Sequence, residues 1–89
     1  MQDTNKFYLQ NPTPPSMHYV YVMIWLSSRN FYIGYSNDLV RRMKEHSKEG
    51  KCKLLYYEAY LYEKSAKIRE KKLKQYGSAW RAIKKRIGA

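Results

Sequence analysis

Two runs of β-branched and aromatic residues dominate the first half of the chain. Tyr19-Val20-Tyr21-Val22-Met23-Ile24-Trp25-Leu26 and Phe31-Tyr32-Ile33-Gly34-Tyr35 flank the polar stretch Ser27-Ser28-Arg29-Asn30. Runs of this composition, broken by a short polar segment, predict a hairpin of two strands. With the four polar residues as the loop, Leu26 pairs with Phe31. Strand side chains alternate between faces, so Tyr19, Tyr21, Met23 and Trp25 share one face, and Tyr32 and Gly34 join it. Gly34 has no side chain, and the pattern leaves a gap beside Tyr21 and Tyr32. A glycine inside a strand often marks close approach by a ligand or another backbone.

Asn37 and Asp38 then offer a helix N-cap. In the helix that follows, Arg42 and His46 are four residues apart and stand one above the other. They flank the apolar positions Leu39 and Met43. The order is strand, turn, strand, helix, with a cation and an imidazole facing two phenols.

Beyond the polar turn Lys48-Glu49-Gly50-Lys51, residues Leu54 to Leu61 read as a third strand. Leu55, Tyr57, Ala59 and Leu61 fall on one side, and Tyr56, Glu58 and Tyr60 on the other. Glu58 is open to three readings: a solvated strand residue, a lysine's partner, or a second active-site carboxylate. From Tyr62 to Tyr76 the period becomes helical, with Tyr62, Ala66, Arg69, Leu73 and Tyr76 on one stripe. Lys64, Lys67, Lys71 and Lys74 lie opposite. Glu70 and Glu63 sit on the shoulder between, where each can pair with the lysine four residues on. Gly77 is expected to end this helix as a C-cap. Ser78 is expected to cap a last helix, in which Trp80, Ile83 and Ile87 recur at helical spacing and Lys84, Lys85 and Arg86 make a basic end.

Eighty-nine residues suffice for one core. All three prolines fall within the first fifteen positions, so residues 1–17 are expected to be a flexible leader and 18–89 the domain. A single cysteine, Cys52, excludes an internal disulfide and a cysteine metal cluster. No apolar run is long enough to span a bilayer and no signal-peptide pattern is present, so a cytoplasmic protein without membrane attachment is expected. Eighteen basic residues against seven acidic give a net charge of +11. Such an imbalance in a short chain attracts polyanions, and nucleic acid suits it better than membrane because no segment joins a basic face to a broad apolar one. The bland alternative is that lysines keep a small protein soluble. Lys44, Lys67, Lys71, Lys74, Lys84 and Lys85 are the candidate phosphate contacts.

The ordered set of these residues resembles the GIY-YIG nuclease domain, over roughly Tyr19 to Ile87. Tyr19-Val20-Tyr21 stands where that family has its first triplet and Tyr32-Ile33-Gly34 where it has the second. Asp38 to His46 is similar to the family's first helix, with Arg42 and His46 in the functional places. Ala66-Lys67-Ile68-Arg69-Glu70-Lys71 is similar to the segment that supplies the metal-binding glutamate, at Glu70. Tyr19 replaces the first glycine, as in small stand-alone members akin to the N-terminal domain of the repair excinuclease. The asparagine that some family endonucleases place after the glutamate has no counterpart.

The resemblance implies an α+β fold, a three-stranded antiparallel β-sheet flanked by three α-helices. It also implies metal-dependent hydrolysis of phosphodiester bonds in DNA, in structured or damaged substrates of repair or recombination. RNA stays open as a substrate, and a protein partner is a candidate source of specificity. One Mg2+ or Mn2+ ion is expected on Glu70, a hard oxygen ligand for a hard cation. Arg42 would contact the scissile phosphate through its planar donor fork. Tyr21 would orient or deprotonate water, Tyr32 would assist, and His46 would take a proton from a tyrosine or orient it. Gly34 would contribute backbone to the site. The alternative is a non-catalytic nucleic-acid-binding module or adaptor that keeps the fold.

Overall fold

The computed structural model of the protein describes residues 17–88. All of the expected leader except Met17 lies outside the described residues. The elements in chain order are β1 (His18–Trp25), β2 (Phe31–Ser36), α1 (Leu39–Glu49), β3 (Cys52–Tyr60), α2 (Glu63–Gln75) and α3 (Gly77–Ile87). The three strands form one antiparallel sheet in the order β2-β1-β3. The α+β architecture is the expected one.

β1 is the central strand, and its position explains its composition. Tyr19, Val20, Tyr21, Val22 and Met23 are all buried, because helices cover both faces of the sheet. Val20 and Val22 point toward Ala66 and Leu73 of α2 and Ile83 of α3, which form the main apolar core. Tyr21 points the other way, toward His46 of α1. A strand covered on both sides reads as a near-continuous apolar run, since neither face is free to be polar.

The β1–β2 register differs from the expected one by two residues. Phe31 pairs with Ile24, and Tyr21 lies opposite Gly34. The loop is Leu26 to Arg29: Trp25 N–H donates to Asn30 O at 2.9 Å, and Arg29 takes a left-handed φ of 63°. Leu26 is drawn to the opposite side, donating to Lys51 O at 3.0 Å. A shift of two keeps side chains on their faces, so Tyr21, Tyr32 and Gly34 still share one.

β3 is longer at its start than expected and is irregular. Val22 pairs with Tyr56 but Met23 pairs with Leu54, leaving Leu55 as the extra residue of a bulge. Leu54, and not Leu55, therefore shares the Tyr57 face. On the opposite face Glu58 is neither solvated nor paired with a lysine. Arg69 Nε and Nη2 donate to its two carboxylate oxygens at 3.0 Å each, and the hydroxyls of Tyr56 and Tyr60 donate to it at 2.6 and 2.5 Å.

Asp38 caps α1, its Oδ1 accepting from Arg41 N–H at 3.1 Å. Gly77 does not end α2. Extended Tyr76 (φ −113°, ψ 112°) serves as C-cap of α2 and N-cap of α3, with Gly77 as the first residue of α3. Its N–H closes on Lys72 O at 2.9 Å and its own carbonyl accepts from Ala79 at 3.1 Å. Ser78 lies inside the first turn and caps nothing.

Candidate active site

Tyr21 is the floor of the site. It is wholly buried at the middle of the central strand, and its ring crosses the backbone of Gly34 on β2. A Cβ built on Gly34 would meet Tyr21 Cζ and Oη at 2.6 Å and Tyr32 Cε1 at 2.8 Å. No gap remains beside the two phenols. The space that a side chain at position 34 would take is filled by the Tyr21 ring, with Tyr32 tilted against it at a centroid separation of 6.0 Å.

α1 closes the cluster from above. Asp38 starts the helix so that Arg42 and His46, one turn apart, both face the sheet. His46 is 2% exposed, and its Nε2 lies 2.7 Å from Tyr21 Oη. The imidazole is packed edge-on by Tyr32 at 4.9 Å and Trp25 at 5.6 Å between centroids. His46 Nδ1 is buried without a partner among the described residues. A buried N–H without an acceptor is the costlier orphan, so the network favours the tautomer with the proton on Nε2, donating to the Tyr21 oxygen.

Burial sets the electrostatics of the pair. It pushes the Tyr21 phenol up to about 12, against the opposing pull of the Arg42 guanidinium beside it. Burial also holds His46 below its ordinary value, and the positive charge of Arg42 adds to that. Both groups are therefore neutral near pH 7. Arg42 is firmly cationic, held first by Glu45, whose Oε1 accepts from Nη1 at 3.0 Å, and then by Tyr32 and Tyr21. Arg42 remains partly open to solvent, whereas His46 does not. A phosphate could thus reach the guanidinium but not the imidazole.

The structure brings Tyr21, Tyr32, Gly34, Arg42 and His46 into one cluster. Glu70 lies on α2, its side chain 22% exposed, accepting from Lys74 Nζ at 3.0 Å. Lys74 borders a groove at the outer edge of β2 that also includes Phe31, Tyr32 and Trp80. Glu63 pairs with Lys67 at 2.7 Å in the same fashion. Among the described residues no three His, Cys, Asp or Glu side chains are grouped to hold an ion. Mg2+ commonly takes one or two carboxylates and completes its shell with water and substrate phosphate. Glu70 fits an ion bound in that way, and the donor set does not fit a preformed zinc or calcium cage.

The six candidate phosphate contacts are dispersed. Lys67 is engaged by Glu63 and lies over the Tyr35 ring at 5.3 Å; Lys84 lies over Trp80 at 5.8 Å. Lys44, Lys71 and Lys85 are exposed. Sequence reasoning missed Glu45 as the brace of Arg42, although an i,i+3 pair on α1 carries that signal. It also missed Trp25 as a wall of the His46 pocket; alternation puts Trp25 on the Tyr21 face but does not reveal that α1 rests there.

No helix among the described residues is long and apolar enough to cross a membrane. Neither curated proteins nor solved structures give a match to this chain. The family model for the GIY-YIG catalytic domain matches residues 17–86. Domains of that family are endonucleases, generally dependent on a divalent metal, and they act on nucleic acid. The match runs from the residue before β1 into the last turn of α3, and the chain belongs to the GIY-YIG nuclease family.

Proposed function

We propose that this protein is an Mg2+- or Mn2+-dependent endonuclease that hydrolyses phosphodiester bonds in structured or damaged DNA, as repair and recombination require. The observation that carries the reading is the neutral Tyr21–His46 hydrogen bond lying beneath a partly exposed Arg42.

Arg42 takes the scissile phosphate. Its Nη1 is braced by Glu45, so the donor fork is oriented before substrate arrives. Its charge is aimed at oxygens that become more negative in the transition state. Tyr21 has no solvent exposure and burial pushes its phenol up to about 12, so it holds its proton near neutral pH. The half-buried Tyr32 is the phenol that an attacking water reaches. Tyr21 and His46 then act from beneath, fixing the Tyr32 ring and the approach of Arg42. Glu70 is the carboxylate that would hold the ion. When bound there, a divalent cation supplies charge neutralisation for the phosphate and the departing oxygen.

A second reading, the non-catalytic binding module, is favoured by the Glu70–Lys74 ion pair, which occupies the only proposed metal-binding carboxylate. Cleavage assays on single-stranded, duplex and branched DNA and on RNA, with and without Mg2+, separate the two. The expected result is Mg2+-dependent nicking of structured DNA that Glu70→Gln abolishes. Binding of every substrate with cleavage of none would establish the binding module.

A further inference from the structure

The cluster described above uses only part of its face of the sheet. Beside it, between α1 and β3, lies a groove of about 710 Å3. Leu39 and Met43 of α1 form one wall, Leu54 and Tyr57 of β3 the other, and Tyr19 the floor. The groove exists because α1 buries its His46 side over Tyr21 and Tyr32 and leans only its Leu39 and Met43 side toward β3, leaving Tyr57 open. Tyr57 is 53% exposed, held by an edge-on contact with Tyr19 at 5.9 Å. Lys44 lies at the rim.

Three features specify the occupant. The first is continuity with the cleavage site. Tyr57 is the cross-strand partner of Tyr21, and Met43 follows Arg42 on α1. Arg42 does not line the groove, but a strand whose phosphate sits at Arg42 would need to turn only one helix position to lay its adjoining nucleotide against Met43 and Tyr57. The second is charge, because a +11 chain with a lysine at the rim draws a phosphodiester and not a cationic or neutral ligand. The third is shape. A largely apolar slot ending on an exposed tyrosine ring offers a flat surface for stacking, and the Asp38 carboxylate and Ser47 hydroxyl on its lining can accept from a base edge.

We propose that this groove takes one unpaired nucleobase next to the phosphate held at Arg42. The inference rests on the reading of the Arg42 cluster as the cleavage site and names its substrate class. A paired base is held in its stack and cannot enter, so the groove selects strands with an extrahelical or single-stranded nucleotide at the incision point.

The test is equilibrium binding of fluorescent DNA to the full chain without divalent metal, so that cleavage plays no part. Three substrates are compared: a perfect duplex, the same duplex with one unpaired nucleotide, and that bulge carrying an abasic residue. The wild type is expected to bind the bulged duplex about 5- to 150-fold more tightly than the abasic one, the range that base–aromatic stacking gives. Tyr57→Ala should erase that difference and Tyr57→Phe should keep it. Equal affinity for the bulged and abasic duplexes overturns the proposal, even where the protein cleaves DNA. A bulge preference in a protein that cleaves nothing supports the groove and refutes the nuclease reading. Two further results overturn it by naming another occupant. One is a dimer in sedimentation without DNA that Tyr57→Ala dissociates. The other is a loss of thermal stability on removing residues 1–16 that Tyr57→Ala makes disappear.

Discussion

Tyr21 Oη and His46 Nε2 are 2.7 Å apart at the bottom of the site, and burial keeps both groups uncharged. The fold holds neutral imidazole more easily than imidazolium, so His46 is depressed relative to its value of 6.5 in the unfolded chain. Its stabilising contribution is present above 6.5 and is lost as pH falls below it. Thermal unfolding followed from pH 7.5 to 5 should show a falling Tm in the wild type. His46→Gln should be less stable at pH 7.5 and nearly flat over the same range. The Glu58 carboxylate is displaced in the same direction; burial alone would raise it, but Arg69, Tyr56 and Tyr60 outweigh that. Its contribution begins to be lost only below about 4.5, a lower onset than that of His46. At the alkaline end Tyr21 and Tyr60 both lie near 12, and stability should fall as pH climbs from 10 toward that value.

Arg42→Ala should lower turnover by about 100- to 1,000-fold, the cost of losing one donor aimed at transition-state charge. Binding should weaken only slightly, since one phosphate contact among many contributes little to ground-state affinity. Arg41→Ala is the control: its side chain is exposed, with Nη2 reaching Asn37 Oδ1 at 3.4 Å. Turnover and Kd measured for the two variants check the assignment. Equal losses would show that the helix face has been misjudged.

Gly34→Ala should harm stability and activity together. The added methyl would lie 2.6 Å from the Tyr21 ring and hydroxyl, and that ring is hemmed in by His46 and Tyr32. Forced repacking of this kind costs about 1–3 kcal/mol. Denaturant unfolding gives the first effect. A cleavage assay well below Tm gives the second, which should persist because the Tyr21–His46 bond must move.

Much of this arrangement was legible in the sequence because alternation has a period of two. The expected Leu26–Phe31 register was wrong by two residues, yet Tyr21, Tyr32 and Gly34 stayed on one face. The errors came where the outcome depends on tertiary packing. A missing side chain at Gly34 is visible in the sequence; the lean of the Tyr21 ring into that space is not. The partner of Glu58 lies 11 residues on, in a different element, beyond the reach of a local pattern. Gly77 carries the statistics of a C-cap, but extended Tyr76 ends one helix and starts the next. The α1–β3 groove had no sequence signal, since its walls read as ordinary apolar stripe positions.

Glu58→Gln tests the opposite face of the sheet. It weakens the Arg69 contact and leaves that guanidinium, 30% exposed, without its countercharge. Losing charge-assisted hydrogen bonds of this kind costs about 1–3 kcal/mol. Stability to urea should drop by that amount. The kinetic constants at low temperature should match the wild type, because Glu58 and Tyr21 face opposite sides of the sheet. A loss of turnover in fully folded Glu58→Gln would mean that the two faces are coupled.

Lys74 should oppose metal binding at Glu70. Its ammonium lies 3.0 Å from Glu70 Oε2 and must give way before a dication can approach. An exposed pair of this spacing is worth only a few tenths of a kcal/mol, but a like charge also repels the incoming ion. Lys74→Met should raise Mn2+ affinity about 2- to 10-fold, read by electron paramagnetic resonance without nucleic acid. Glu70→Gln should lower it below detection, whereas Glu63→Gln should leave it intact.

The bulge at Leu55 makes β3 tolerant of one particular deletion. Nine residues of β3 are matched to eight of β1, and Leu55 alone has no partner. Deleting it would restore an unbroken ladder with Leu54 still opposite Met23 and Tyr56 still opposite Val22. Position 54 is leucine as well, so deleting either of the two gives the same chain, whereas removing Glu58 or Ala59 would force part of the strand out of phase. The Leu54-Leu55 pair in this sense carries a spare link in the chain, and a scan of single-residue deletions through β3 should find a permissive site at that pair and lose the fold on deleting Glu58 or Ala59.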